Sequence, residues 1–169
     1  MDPNLIDDWL DQLLTLSSHD QAGAIMLAAM KCEPLARAWC AKERLADAHQ
    51  VYLEAFARWQ TGAISDADLE KAARPLDRRL NREIENEPDV VGAMAAHCLT
   101  DVEAIALGFS SEMIDEILRT ALFFAAAAFT GSQDVPIEVD SDRLRPDEIR
   151  FIADWWAECV QAYPQLGQM

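Results

Sequence analysis

The sequence predicts an all-α protein, a single-domain helical bundle of about six to eight helices around a long central helix. Three observations carry that expectation. Apolar residues recur at three- and four-residue steps in one segment after another, the period of a helix with one buried face. Glycine and proline are scarce, 6 and 7 among 169 residues, which leaves little material for the turns of a β fold. A chain of this length that is 51% hydrophobic can also bury a core without disulfide or metal staples. One stretch escapes the helical period: residues 130–145 read as an irregular acidic loop before the last helix.

The first helix is expected from Pro3 to about Leu16, with Leu5, Ile6, Trp9, Leu10 and Leu13 inside and Asp7, Asp8 and Asp11 in water. Ser18 and Gln21 have the spacing of a capping box for a second helix that is apolar on most sides and therefore buried. Pro34 to Gly62 reads as one long amphipathic helix, the expected centre of the bundle, with Leu45, Ala48, Tyr52, Ala55, Phe56 and Trp59 on one face. After Gly62, Ser65 is placed as an N-cap, and Pro75 predicts a kink or break. Lys71, Arg74, Arg78, Arg79 and Arg82 form a basic stripe, but Asp77, Glu83, Glu85 and Glu87 interleave with it, so pairing inside the protein is expected.

Pro88 restarts a helix that runs to Leu107 and stops at Gly108, with small residues Gly92, Ala93, Ala95 and Ala96 allowing close packing. Ser110 or Ser111 caps the next helix, whose end ALFFAAAAF is apolar all round and must be enclosed by protein. Within 130–145, Val135, Ile137 and Val139 alternate with polar residues as a short extended segment would. Pro146 opens the last helix, with Ile149, Ile152, Ala153, Trp156, Val160 and Tyr163 facing inward. Phe151 and Trp155 make a second stripe about 100° away, either covered by the N-terminal helix or exposed as interface aromatics.

The charge is lopsided. Thirty acidic residues against 14 basic give a formal net charge of −16, which disfavours nucleic acid and anionic membrane and favours a basic protein surface as partner. Cys32, Cys40, Cys98 and Cys159 sit far apart in apolar helical patterns with no CxxC, so they read as buried free thiols. The N-terminus is acidic, with no Lys or Arg before Lys31, unlike a signal peptide, and the longest apolar run, Ala121 to Phe129, is too short for a bilayer. A cytoplasmic location is the expectation.

No catalytic constellation stands out. His97 and Asp101 are one turn apart, a common pair on a helix surface; His49 and His19 have no clear partner. Glu43, Asp47 and Glu54 bring to mind carboxylate ligands of helical bundles, yet the Glu-x-x-His motif of di-iron sites is missing. Nor is there a Gly-rich phosphate loop, a G-x-S-x-G or an H-E-x-x-H. Neither a catalytic residue nor a metal or other cofactor is assigned.

The segment AFARWQTGAISDADLEKAARPL, followed by VVGAMAAHCLTDVEAIALG, resembles the immunity proteins of bacterial polymorphic toxin systems. Trp59, Gly62, Ile64 and Ser65 match the family's W-x-x-G-x-I-S/T turn between a helix and Ala-rich helices, and the similarity spans residues 38–106. The resemblance implies neutralisation of a toxin by tight binding and carries over no catalytic residue.

The expected function is therefore a non-enzymatic binding protein of the immunity or inhibitor type that occludes a basic toxin or nuclease. Asp134, Glu138, Asp140 and Asp142 would meet the partner's basic cleft, and Phe151 and Trp155 would anchor the contact. An adaptor subunit of a defence assembly, a DNA-mimic inhibitor and a metal- or ligand-binding helical enzyme are the alternatives. The last requires His97, Asp101 or the acids of the long helix to converge in a pocket.

Overall fold

Capping side chains set several of the helix boundaries. Ser17 Oγ accepts from the amide of Asp20 at 3.2 Å, Ser65 Oγ from that of Asp68 at 3.2 Å, and Asp89 Oδ1 from that of Gly92 at 3.0 Å. Asp68 returns the contact to the amide of Ser65 at 3.4 Å, so the expected cap at Ser65 is a reciprocal box. In place of the box expected at Ser18 and Gln21, the preceding Ser17 supplies a single cap. Gln21, buried, turns back instead to the carbonyls of Leu13, Leu14 and Leu16 and closes the end of the preceding helix.

The computed structural model describes residues 2–80, 83–108, 112–136 and 139–168, together with the backbone of Ser111 inside its helix. Among these, the α-helices are α1 (Asn4–Leu13), α2 (Ser18–Lys31), α3 (Glu33–Lys42), α4 (Ala46–Gln60), α5 (Asp66–Leu80), α6 (Val90–Ala106), α7 (Ser111–Phe129) and α8 (Pro146–Ala162). Single 3-10 turns occupy Ile84–Asn86 and Ser141–Arg143, and the described residues contain no strand. Val135 and Val139, expected in an extended segment, instead lean on the core; Ile137 lies outside the described residues.

The long helix expected over 34–62 is two helices. Arg44 adopts a left-handed conformation, φ 59°, and the amide of Leu45 reaches the carbonyl of Cys40 at 2.7 Å while that of Arg44 reaches Ala41 at 3.3 Å. Those two bonds are a Schellman closure, which satisfies the last carbonyls of α3 and redirects the chain. The central helix is α6, which packs against α7, α3, α2 and α5. Its small residues permit this. A Cβ on Gly92 would lie 2.7 Å from Cβ of Trp39, so α3 sits as close as a bare glycine allows. Ala93, Ala95 and Ala96 are buried, as are Ala121 to Ala128 of α7.

Polar contacts then fix the outer elements. Tyr52 of α4, fully buried, donates its hydroxyl to the Leu99 carbonyl of α6. Arg79 of α5 donates to Glu43 at 2.9 Å and, through both terminal nitrogens, to Glu87 at 2.6 and 3.0 Å, with its guanidinium 5.0 Å from the Trp39 ring centroid. Arg79 thus pairs internally as expected of the basic stripe, whereas Lys71, Arg74 and Arg78 are exposed and Arg82 lies outside the described residues. Helix α5 continues through Pro75 without a break. All four cysteines are buried free thiols, and burial pushes Cys32 up to about 12 and Cys40 to about 11. Among the described residues no helix is long and apolar enough to cross a membrane.

Candidate functional site

Three of the acids expected to meet a partner stand on the surface. Asp134, Asp140 and Asp142 are exposed; Glu138 lies outside the described residues. Local bonds hold the backbone that carries them. Ser132 Oγ accepts from the Asp134 amide at 3.2 Å, and Asp140 Oδ1 accepts from the Asp142 amide at 3.0 Å. Between them Ser141 is buried and donates to Asp7 of α1 at 3.3 Å, where Arg119 of α7 also donates at 2.6 Å. The end of the loop is tied by Arg145, which donates to Thr130 at 2.9 Å and to Glu148 at 3.1 Å. The described residues on either side of 137–138 are therefore held by hydrogen bonds, to each other and to α1 and α8.

Asp134 and Asp140 share a cleft of about 270 Å³ whose apolar lining includes Val135, Pro136 and Leu144. Arg143 and Arg145 line the same cleft, so its acids are set among two guanidiniums. The local field is accordingly less negative than Asp134 and Asp140 alone would make it.

The two aromatic anchors require correction. Trp155 is fully buried and donates its indole N–H to the Ala24 carbonyl at 2.8 Å. Phe151 is 4% exposed, with its ring 5.0 Å from that of Phe129 and Lys31 Nζ 5.9 Å from its centroid. Their stripe on α8 is covered by α2 and α7, so both work inside the fold and neither is available at the surface. The contact of α8 with the N-terminal helix is made by the other stripe, where Trp156 stacks on Trp9 at 5.5 Å.

A second constellation forms between α5 and α6. His97 Nδ1 lies 3.1 Å from Asp101 Oδ2, and both line a cavity of about 260 Å³ with Asp77, Thr100 and Glu103. Burial, then the charge of Asp77, pushes the Glu103 carboxyl up to about 8. Burial, then the charge of Asp101, raises Asp77 to about 6. The contact between the two carboxyls favours the protonated form of Glu103 and the ionised form of Asp77. Burial opposes charge on His97, but its bond to Asp101 outweighs this and raises the imidazole. The sequence placed His97 beside Asp101 through their i, i+4 spacing; it gave no sign of Asp77 across the helix interface. The signal within reach was Glu103, an acid embedded in the apolar run of α6.

The remaining candidates stay apart from this cavity. His49 is buried with Nε2 lacking a hydrogen bond, 3.5 Å from Glu33, and burial holds its pKa below the usual imidazole value. His19 sets Nε2 3.0 Å from the Gln60 carbonyl and its ring 4.8 Å from that of Trp59. Among the described residues, no group of three or more His, Cys, Asp or Glu side chains is arranged to hold a metal ion.

The class defined by this architecture is an all-α bundle built on a central helix. Comparison with protein-family models, with curated proteins and with solved structures finds no match to the chain.

Proposed function

We propose that this is a non-enzymatic binding protein of the immunity or inhibitor type, acting in the cytoplasm, which neutralises a basic protein partner by covering it. The observation that carries the reading is the set Asp134, Asp140 and Asp142: exposed, acidic, and carried on backbone that local hydrogen bonds and the Ser141–Asp7 contact hold in place. A surface already ordered before encounter loses little conformational entropy on binding. The net charge of −16 adds long-range attraction for a basic surface, which raises the association rate. The resemblance of residues 38–106 to polymorphic-toxin immunity proteins points the same way. With Phe151 and Trp155 interior, the apolar part of the contact falls to Val135, Pro136 and Leu144 in the cleft.

The test is affinity capture from the source cell with the wild-type protein and with Asp134→Ser/Asp140→Ser/Asp142→Ser. A basic protein retained by the wild type and lost from the variant supports the reading. Equal retention by both removes the loop from the interface.

A second reading, a ligand-binding helical enzyme, is favoured by one observation: His97 and Asp101 do converge on a cavity, with Asp77 and Glu103. Paired titratable groups with displaced pKa values are the usual equipment of acid–base chemistry. Metal analysis of the purified protein, together with a screen of small cationic ligands by chemical-shift changes at His97, separates the two.

A further inference from the structure

Helices α4 and α5 form a hairpin whose outer side is open. The groove between them has a volume of about 680 Å³, against about 270 and 260 Å³ for the two concavities above. Its apolar lining is Ala48, Val51 and Ala55 from α4, with Ile64, Ala72 and Pro75 from the turn and α5. The buried face of α4 is a different one, made by His49, Tyr52, Phe56 and Trp59. Ala48, Ala55 and Ile64 on this side are half-buried against the core, whereas Val51 between them is 52% exposed and presents its side chain to the groove. Alanine at 48, 55 and 72 keeps the groove deep, and from Asp47 to Arg58 it runs about 16 Å, three turns of helix.

We propose that this groove receives an amphipathic helix of a protein partner, its apolar row seated on Val51 and its basic flank against Asp47 and Glu54. The proposal rests on the reading of the protein as a binder of basic partners and names a surface for it besides the loop. Charge complementarity selects the occupant. Asp47 and Glu54 stand along the α4 side of the groove and Asp68 on the α5 side, in a molecule of net charge −16. Arg58 and Lys71 interrupt these acids, which gives the groove a charge pattern and so a preferred register for what binds. Pro75 adds a hydrogen-bonding feature. It has no N–H, so the carbonyl of Lys71 lacks its i+4 amide partner, and both residues line the groove. A lysine or arginine of the incoming helix is a suitable donor. Such a partner reads as a helix-in-groove ligand, with anchors at i, i+4 and i+7.

The probe is a synthetic amidated peptide of about 14 residues, leucine at i, i+4, i+7 and i+11 and lysine on the flanks. A scrambled peptide of equal charge and one with glutamate for lysine are the controls. The full chain is titrated with each and followed by amide chemical shifts. Saturable shifts confined to residues 46–80, with the scrambled and acidic peptides weaker by about tenfold or more, support the proposal. Val51→Asp, at an exposed position the fold does not need, should weaken the basic peptide by about tenfold or more. Asp47→Asn/Glu54→Gln should weaken it severalfold. Equal binding of the scrambled peptide, shifts centred elsewhere, or unchanged affinity in Val51→Asp overturns it. Asp134→Ser/Asp140→Ser/Asp142→Ser should leave the peptide affinity unaltered, and a loss there moves the site to the loop and also overturns it. Failure of the loop reading, by contrast, is seen in partner capture and leaves these peptide results intact.

Discussion

Replacing Glu103 by Gln should make the protein more stable in base while leaving it nearly unchanged in acid. Glu103 is pushed up to about 8 from an ordinary 4.5, by burial first and by the charge of Asp77 second. Between those values the folded protein holds a proton that the unfolded chain has released. Folding therefore takes up a proton, stability declines as pH rises through the window, and the full cost is present above 8. At about 1.4 kcal/mol per unit the whole displacement corresponds to about 5 kcal/mol. Glu103 is buried, but local relaxation and water penetration on ionisation bring this to about 2 kcal/mol. Gln keeps the shape and the donor to Asp77 but cannot ionise. For a chain of this size the expected gain in Tm at pH 9 is roughly 4–8 °C. The assay is thermal or urea unfolding of wild type and Glu103→Gln at pH 5 and pH 9, with the difference taken at each pH so that shared titrations cancel. A difference that is the same at both values refutes the proton-sharing pair.

Two other changes test how the fold is held. Arg79→Ala leaves Glu87 buried without its guanidinium and removes the contact over Trp39, so it should cost about 3–5 kcal/mol by urea unfolding. A loss below about 1 kcal/mol would mean that the network is solvated. Arg44→Gly removes the left-handed strain at φ 59° and should raise stability by about 1 kcal/mol, with the denaturant slope unchanged.

Periodicity made the helical class legible, because a stripe at 3.6-residue spacing is written in the chain itself. It did not make the break at Arg44 legible. A left-handed closure at a non-glycine residue has no local marker, and the apolar row runs on through Leu45 as if the helix did too. The shift of the cap from Ser18 to Ser17 has the same origin, since two adjacent serines offer the same oxygen and tertiary demand on Gln21 decides between them. For Phe151 and Trp155 the sequence specified a second stripe on α8, yet only the arrangement of helices shows that α2 and α7 cover it. Asp134, Asp140 and Asp142 were readable as exposed from their chemistry. The position of Asp134 and Asp140 beside Arg143 and Arg145 was not, because a non-periodic loop carries no register. Asp77 and Glu103 meet across a helix interface, and no spacing along one helix predicts a meeting between two.

The sharpest test of the proposed role is the association rate with the captured partner, measured from low to high ionic strength for the wild type and for Asp134→Ser/Asp140→Ser/Asp142→Ser. A preformed acidic surface predicts a wild-type rate that falls steeply with salt, and a variant that binds more slowly with a flatter dependence. Identical rates and identical salt slopes would contradict it.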